Sequence, residues 1–307
     1  MSRRKSGLNI HGIVLLDKPV GISSNRALQK VRGIYQARKA GHTGSLDPFA
    51  TGMLPICLGE ASKTAAYMLE AGKQYRATAR LGEATTTGDI EGDVIQTLPI
   101  PDVDSTSLAL TLKQFVGEIR QVPPMYSALK HEGKPLYEYA RAGIEIDRPA
   151  RAVTIHELDL VAWQSPNLIF DVRCSKGTYI RTLAEDIAKA LGSCGHLVEL
   201  RRTEVEPFGS FSMVTLEQLQ EAREHGGLQD FLLPVDVGLA DWPKVVLDKL
   251  QHEKFMHGNR FPFSTTEPVS SDVRVYGPGG DLLGLAGITP AGDLQPDRVF
   301  NLQQDAQ

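Results

Sequence analysis

The apolar positions of this chain change their period along its length. Ile13 to Leu16 is an unbroken apolar run closed by Lys18-Pro19 and Gly21, which predicts a buried strand. Ser23 or Ser24 then offers an N-cap for a helix over residues 25–38, with Ala27, Leu28, Val31 and Ile34 on one stripe. Residues 56–69 read as a second helix, and residues 73–82 alternate as a strand does. A polar turn over 83–93 leads into a return strand over 94–98. Residues 107–119 have helical period, 153–163 and 167–177 read as paired strands, 178–192 as a helix stopped by Gly192, and 196–208 as a strand. Strands and helices mix without regular β-α alternation, so the expected fold class is α+β, with a mixed, mainly antiparallel sheet flanked by helices. A main domain over 10–240 is expected. Gly- and Pro-punctuated short runs over 246–305 predict a small β-rich C-terminal domain.

Between the first two predicted helices lies "GHTGSLDPFATGMLP", residues 41–55, with three glycines, two prolines and one acid, Asp47. Met53, Leu54 and Ile56 tie this loop to something buried. Pro48 biases Asp47 towards extended backbone, and the glycines permit a close-fitting loop. Such an Asp either caps its own loop as an Asx-turn or stands as a fixed carboxylate. Asp47 belongs to no HExxH, DxD or EF-hand pattern, the chain has no Walker or GxSxG pattern, and nothing nominates the second acid of a glycosidase. The chemistry left for Asp47 is that of a covalent nucleophile or charge stabiliser working without a cofactor. An arginine nearby would lower its pKa and fix its orientation. "CSKGTYIRTLAEDI" supplies Arg181, with Tyr179, at a helix start. Tyr75 and His42, taken singly, read as an ordinary sheet residue and an ordinary loop residue.

Apolar residues make up 41% and charged residues 23%, which rules out wholesale disorder and allows a core of normal size. Cys57, Cys174 and Cys194 lie far apart without a CxxC pair, as suits a reducing cytosol. Arg3, Arg4 and Lys5 precede an apolar run far too short for a signal peptide, and no stretch approaches the roughly 20 apolar residues of a membrane span. A cytoplasmic protein is expected. The net charge of -4 conceals an asymmetry: residues 1–80 carry 13 Lys/Arg against 4 Asp/Glu, leaving -13 for the rest. A basic segment in an acidic chain can draw a polyanion onto one surface. Residues 120–151, with Lys130, Lys134, Arg141, Arg148 and Arg151, predict a mobile basic arm. From Val246 onward 5 basic and 8 acidic residues give -3, which makes this part a poor stand-alone electrostatic binder. No heptads stand out, so a monomer is expected.

The motifs together resemble the TruB family of RNA pseudouridine synthases. The likeness runs in order through "LLDKPVGISSNRALQKV", "GHTGSLDPFATGMLPICLGEASK", "KQYRATARLGEATTTGDIEG", "QVPPMYSALKHEGKPLYEYARAGIE", "RCSKGTYIRTLAEDI" and "HLVELRRTEVEPF", covering most of residues 10–215. The resemblance implies an isomerase that flips uridine 55 out of the tRNA T-loop and turns it into pseudouridine, with no cofactor and no obligatory protein partner. It further implies Asp47 as nucleophile, Tyr75 stacked on the uracil and handling the C5 proton, and Arg181 paired with the aspartate. His42 would hold the extruded T-loop, and Tyr179 and Leu200 would line the uridine pocket. Residues 120–151 resemble the family's RNA-closing thumb, and the tail resembles a PUA-type RNA-binding domain. Two other readings remain open: a tRNA-folding chaperone, and the catalytic subunit of a guide-RNA-dependent synthase.

Overall fold

The first strand shows how the main sheet is built. In β1 (Gly12–Lys18) every residue except Asp17 is buried. Val14 and Leu16 join one apolar cluster while Ile13 and Leu15 join another, because successive side chains of a strand leave opposite faces. A strand covered on both sides reads as a continuous apolar run, as Ile13 to Leu16 does.

The computed structural model describes residues 7–263 and 272–303. After β1 comes α1 (Ser24–Ile34), whose N-cap Ser23 accepts from the Arg26 N–H at 3.2 Å. β2 (Ala40–His42) and β3 (Thr51–Leu58) bracket the Asp47 loop, and β3 pairs antiparallel with both β1 and β2. A 3-10 turn over Gly59–Lys63 and the short α2 (Ala65–Met68) lead to β4 (Lys73–Leu81) and the hairpin of β5 (Glu83–Thr85) and β6 (Val94–Thr97). Next come α3 (Ser105–Lys113) and β7 (Gly117–Gln121). A small hairpin of β8 (Lys130–His131) and β9 (Lys134–Pro135) follows, and then α4 (Leu136–Arg141). The long pair β10 (Arg151–Gln164) and β11 (Asn167–Cys174), α5 (Ile180–Ala190), β12 (Gly195–Val205) and α6 (Leu216–His225) complete the main part.

The eight-stranded sheet has the order β1-β3-β12-β4-β11-β10-β7, with β2 also on β3. Its pairs are antiparallel except β12 with β3, which meet in parallel at Arg201↔Thr51 and Arg202↔Gly52. Leu108 and Leu112 of α3 and Leu183 and Ile187 of α5 bury against Ala77, Phe170 and Leu197 of the sheet. Helices α1 and α6 cover the β1/β3 end.

The C-terminal strands β13 (Lys244–Val246), β14 (Phe261–Pro262), β15 (Asp272–Tyr276), β16 (Leu282–Ile288) and β17 (Asp293–Val299) form a second sheet in the order β13-β15-β16-β17-β14. With α7 (Lys249–Met256) they enclose a core of their own around Phe255, Val273 and Leu294. This domain lies against the main part: Leu285 and Phe300 share a cluster with Ile13 and Met53, and Lys63 Nζ donates to the Val299 carbonyl at 2.8 Å.

Three expectations need correction. Residues 56–69 are not one helix, because Ile56, Cys57 and Leu58 finish β3 and pair with β1. Tertiary pairing overrides a local helical period there. Residues 107–119 are likewise split: the helix ends at Lys113, and Gly117–Gln121 becomes a strand because β10 is present to pair with it. The return strand over 94–98 pairs with Glu83–Thr85 rather than with residues 73–82, whose neighbours are β11 and β12. Residues 264–271, 304 and 305 of the expected C-terminal domain lie outside the described residues.

The parallel contact of β3 with β12 has a testable consequence. Gly52 sits at φ +99°, and a Cβ there would stand 2.2 Å from the Arg202 carbonyl oxygen. Gly52→Ala is expected to cost about 3 kcal/mol or more, combining left-handed strain with a backbone clash. Denaturant titration measures it, and an unchanged midpoint would contradict the close approach.

Candidate active site

The Asp47 loop has almost no secondary structure, so its shape must be imposed from outside. Ser24, at the start of α1, is fully used for this: its Oγ accepts from the Leu46 N–H at 2.7 Å and donates to the Leu46 carbonyl at 3.0 Å. Lys18, with no exposed surface, donates to the carbonyls of Pro19 (2.9 Å), Ile22 (2.8 Å) and Pro48 (3.3 Å). The Gly21 N–H also donates to the Pro48 carbonyl at 2.8 Å. Arg202 holds the other flank, its Nε donating to the Met53 carbonyl at 2.7 Å and its Nη2 to the Gly44 carbonyl at 3.2 Å. Asp47 is thereby pinned one residue either side of its own peptide.

The Asp47 carboxylate meets Arg181, Oδ2 to Nε, at 3.1 Å. Arg181 is 5% exposed and spends its remaining donors inward. Nη1 donates to the Thr87 carbonyl at 2.8 Å and lies 3.3 Å from the Asp89 carboxylate, and Nη2 donates to the Tyr126 carbonyl at 2.7 Å. Asp89 is itself held by Thr87 Oγ1 at 2.6 Å and by the Glu91 N–H at 3.0 Å. The guanidinium therefore joins the Asp47 loop, the β5–β6 turn and the base of the basic arm. A single arginine was expected to lower the Asp47 pKa. The direction is the reverse: burial pushes it above the ordinary 3.8, the Arg181 charge opposes this, and the Asp89 charge adds to it. Some 38% of the Asp47 side chain faces an open cleft, yet protein closes around the carboxylate elsewhere and desolvation wins.

That cleft, about 640 Å³, is lined by Asp47, Tyr75, Tyr179, Arg181 and Leu200. Tyr75 comes from β4 and Leu200 from β12, neighbouring strands in which Tyr75 stands opposite Arg202 and Ala77 opposite Leu200. Tyr179 precedes α5, its backbone gripped by Gln121, which accepts from its N–H at 3.0 Å and donates to its carbonyl at 3.3 Å. Burial raises the pKa of both phenols, so both stay protonated. His42 is the exception: it ends β2 and is not among the lining residues. Burial, and next the Arg202 charge, lower its pKa and keep it neutral at pH 7. Among the described residues no group of three or more His, Cys, Asp or Glu could hold a metal ion.

Comparison with known proteins decides the kinship. Residues 32–180 match the model of the TruB family pseudouridylate synthase N-terminal domain, residues 181–240 that of the tRNA pseudouridylate synthase B C-terminal domain, and residues 243–300 that of the pseudouridine synthase II TruB C-terminal region. A tRNA pseudouridine synthase B from Nitrosococcus oceani is 50% identical over 302 residues, covering 97% of each chain. One from Mannheimia succiniciproducens is 48% identical, covering 98% of this chain and 100% of its own. The chain belongs to the TruB family of pseudouridine synthases. Its fold is shared more widely. The structure of a Cbf5-Nop10-Gar1 complex matches with a TM-score of 0.71 at 26% identity, over 94% of this chain and 84% of that one. An H/ACA RNP bound to a substrate RNA containing 2'-deoxyuridine matches at 0.70 and 22% identity, over 98% and 92%.

For this TruB-family chain, residue-level reading found Asp47 and Arg181 but passed over Lys18, Ser24, Lys73, Asp89 and Arg202. One signal was available. Leu200 and Arg202 are two apart on a strand and so share its inward face, which puts a charge at a core position. Asp89, in the turn "TTTGD", carried no such signal.

The raised Asp47 pKa gives a stability test. The folded state binds the Asp47 proton more tightly than the unfolded chain does, so ionising it costs stability above its pKa. Asp47→Asn is therefore expected to be more stable than wild type at pH 7. The difference should shrink as pH falls and vanish below 3.8, where wild type is neutral in both states. Urea midpoints of both proteins across that range measure it, and a less stable variant at pH 7 would contradict the desolvation.

Proposed function

We propose that this protein isomerises uridine 55 in the T-loop of tRNA to pseudouridine, using Asp47 as nucleophile and no cofactor. The observation that supports this most directly is the Asp47–Arg181 pair, at 3.1 Å, in a cleft also lined by Tyr75 and Leu200. The names of the bacterial relatives supply tRNA as the substrate class.

The reaction breaks the N1–C1′ bond and joins C5 to C1′, while C5 gives up a proton and N1 gains one. Atoms balance within the substrate, so neither water nor a redox partner is consumed. Asp47 can attack C6 of the base or C1′ of the sugar, and both routes need an ionised carboxylate held in place. The base must first leave its stack, at a cost of a few kcal/mol. Tyr75 offsets that cost by stacking on the uracil, with Tyr179 and Leu200 on the pocket walls and His42 supporting the extruded loop. Residues 10–240 act as the catalytic domain, residues 120–151 close on the RNA backbone, and residues 246–305 serve as a PUA-like RNA-binding domain. The protein acts alone in the cytoplasm, as a monomer.

Purified protein with an unmodified tRNA transcript carrying tritium at uridine C5 tests this, with no partner or cofactor added. Wild type is expected to release tritium at the T-loop uridine, and Asp47→Asn to release none while still binding tRNA. Release by both would remove Asp47 from the chemistry. Release by neither, despite tight binding, would favour a partner-dependent subunit or a folding chaperone. The acid limb of the wild-type rate is expected above pH 3.8, because the active form is the ionised one and its pKa is raised.

A further inference from the structure

Once the charges around the cleft are matched with their partners among the described residues, three buried cations are left over: Lys18, whose donors all go to the carbonyls of Pro19, Ile22 and Pro48, and two that line the cleft itself. Asp47 and Asp89 share Arg181, and Asp17 takes Arg201 at 2.7 Å. Glu206 takes Arg173 at 2.5 Å, and Glu70 takes Lys176. Lys73 and Arg202, 8% and 1% exposed, both line the cleft. Among the described residues neither forms an ion pair with a carboxylate. Lys73 Nζ donates to the carbonyls of Leu69 at 3.1 Å and Ala71 at 2.6 Å, and Arg202 to those of Met53 and Gly44.

Carbonyls satisfy N–H groups but carry no net charge. The neighbouring acids do not neutralise the pair either. The Tyr75 phenol is kept protonated by burial, and the Cys174 thiol is pushed up to about 11. The two cations also repel each other, and that repulsion adds to burial in lowering Lys73. Two desolvated like charges on one wall destabilise the fold. An anion arriving in the cleft would relieve that. Lys73 has three donors, of which two are used, so one N–H remains.

We propose that Lys73 and Arg202 form an anion-stabilising wall that takes up the negative charge of the uracil ring during glycosidic cleavage. This rests on reading the cleft as the uridine isomerase site. When N1–C1′ breaks, the bonding electron pair stays with the base and spreads over its ring and carbonyl oxygens, while C1′ is left cationic or bonded to Asp47. The charge is consumed when C5 forms its bond to C1′, displacing Asp47 where it is bonded there; the C5 proton then departs, N1 is protonated, and an Asp47 bonded to C6 is released as the carboxylate. Fixed, desolvated cations act most strongly where charge develops during reaction. Lys73 meets the base directly, and Arg202 also positions Gly44 and faces Tyr75.

Single-turnover rates at saturating tRNA test this with Lys73→Met and Lys73→Arg. Lys73→Met is expected to lose about 10²-fold in rate, the cost of one electrostatic donor, with tRNA affinity and its salt dependence unchanged. Lys73→Arg, whose charge is permanent, is expected to restore most of the rate. Lys73 is brought down to about 8 by burial and Arg202, against weaker pulls from Cys174, Glu70 and Glu206. The wild-type rate should accordingly fall as pH rises through about 8. That decline should weaken in Lys73→Arg, a comparison that needs no neutral variant to fold. Lys18 is also near 8 and is untouched in Lys73→Arg. A decline of undiminished size there would assign it to Lys18 and overturn the proposal. So would a full rate in Lys73→Met. A loss confined to tRNA affinity, with a shallower salt slope, would make Lys73 a phosphate contact and also overturn it. An active wild type and inactive Asp47→Asn beside an unaffected Lys73→Met would sink this proposal alone. No product from wild type would sink the functional reading instead.

Discussion

The site depends on one kind of bond repeated several times: a buried cation donating to backbone carbonyls. Lys18 ties down Pro48, Arg202 ties down Gly44 and Met53, and Arg181 ties down Thr87 and Tyr126. A loop rich in glycine cannot hold a carboxylate still by its own propensity, since glycine loses more backbone freedom on folding than any other residue. The rigidity is supplied instead by long side chains reaching out of regular elements. Lys18 ends β1, Arg202 sits in mid-β12, and Arg181 is the second residue of α5. Each gives the loop a position relative to the sheet.

That arrangement sets the energetics of the cleft. Arg181 is shared by the carboxylates of Asp47 and Asp89, whereas for Lys18 and Arg202 carboxylate partners would have stabilised the cations further but would have cancelled their charge. Carbonyl partners satisfy the donors and leave the field. Lys18 is brought down to about 8 mainly by burial, with the Asp47 charge opposing. For a lysine this sign means that the charged form costs stability at neutral pH, a cost that fades as pH rises from about 8 towards 10.5. Asp47 behaves in the mirrored way, raised by burial in spite of Arg181. Both departures destabilise the folded state at neutral pH, one in the Asp47 carboxylate and the other in the lysine that anchors its loop at Pro48. Strain of this kind gathers where a fold maintains a reactive group.

How much of this was legible follows from where each signal lives. The β1 run, the α1 stripe and the Gly192 stop are local, and each appears where the sequence puts it. Ile56–Leu58 and Gly117–Gln121 became strands only because β1 and β10 were there to pair with them, which no window of neighbours reveals. The same division holds in the site. Asp47 stands out because its loop is unusual, whereas Asp89 matters only through the 3.3 Å contact that the β5–β6 turn makes with Arg181. The direction of the Asp47 pKa was misjudged for a related reason. The arginine could be read from sequence, but the burial that outweighs it could not.

Topology explains why the carriers are brought together. β12 lies between β3 and β4, parallel to the first and antiparallel to the second. One strand therefore borders both the strand that leaves the Asp47 loop and the strand that bears Tyr75. Its outward Arg201 pairs with Asp17 of β1 at 2.7 Å and stays 42% exposed. Its inward neighbour Arg202 is buried without a carboxylate and grips the loop. Two arginines adjacent in sequence thus do opposite work because a strand turns alternate residues to opposite faces. The close approach that allows this is made at Gly52, where any side chain would strike the Arg202 carbonyl. The glycine that closes the Asp47 loop is thus also the residue that lets β12 come near enough to hold it.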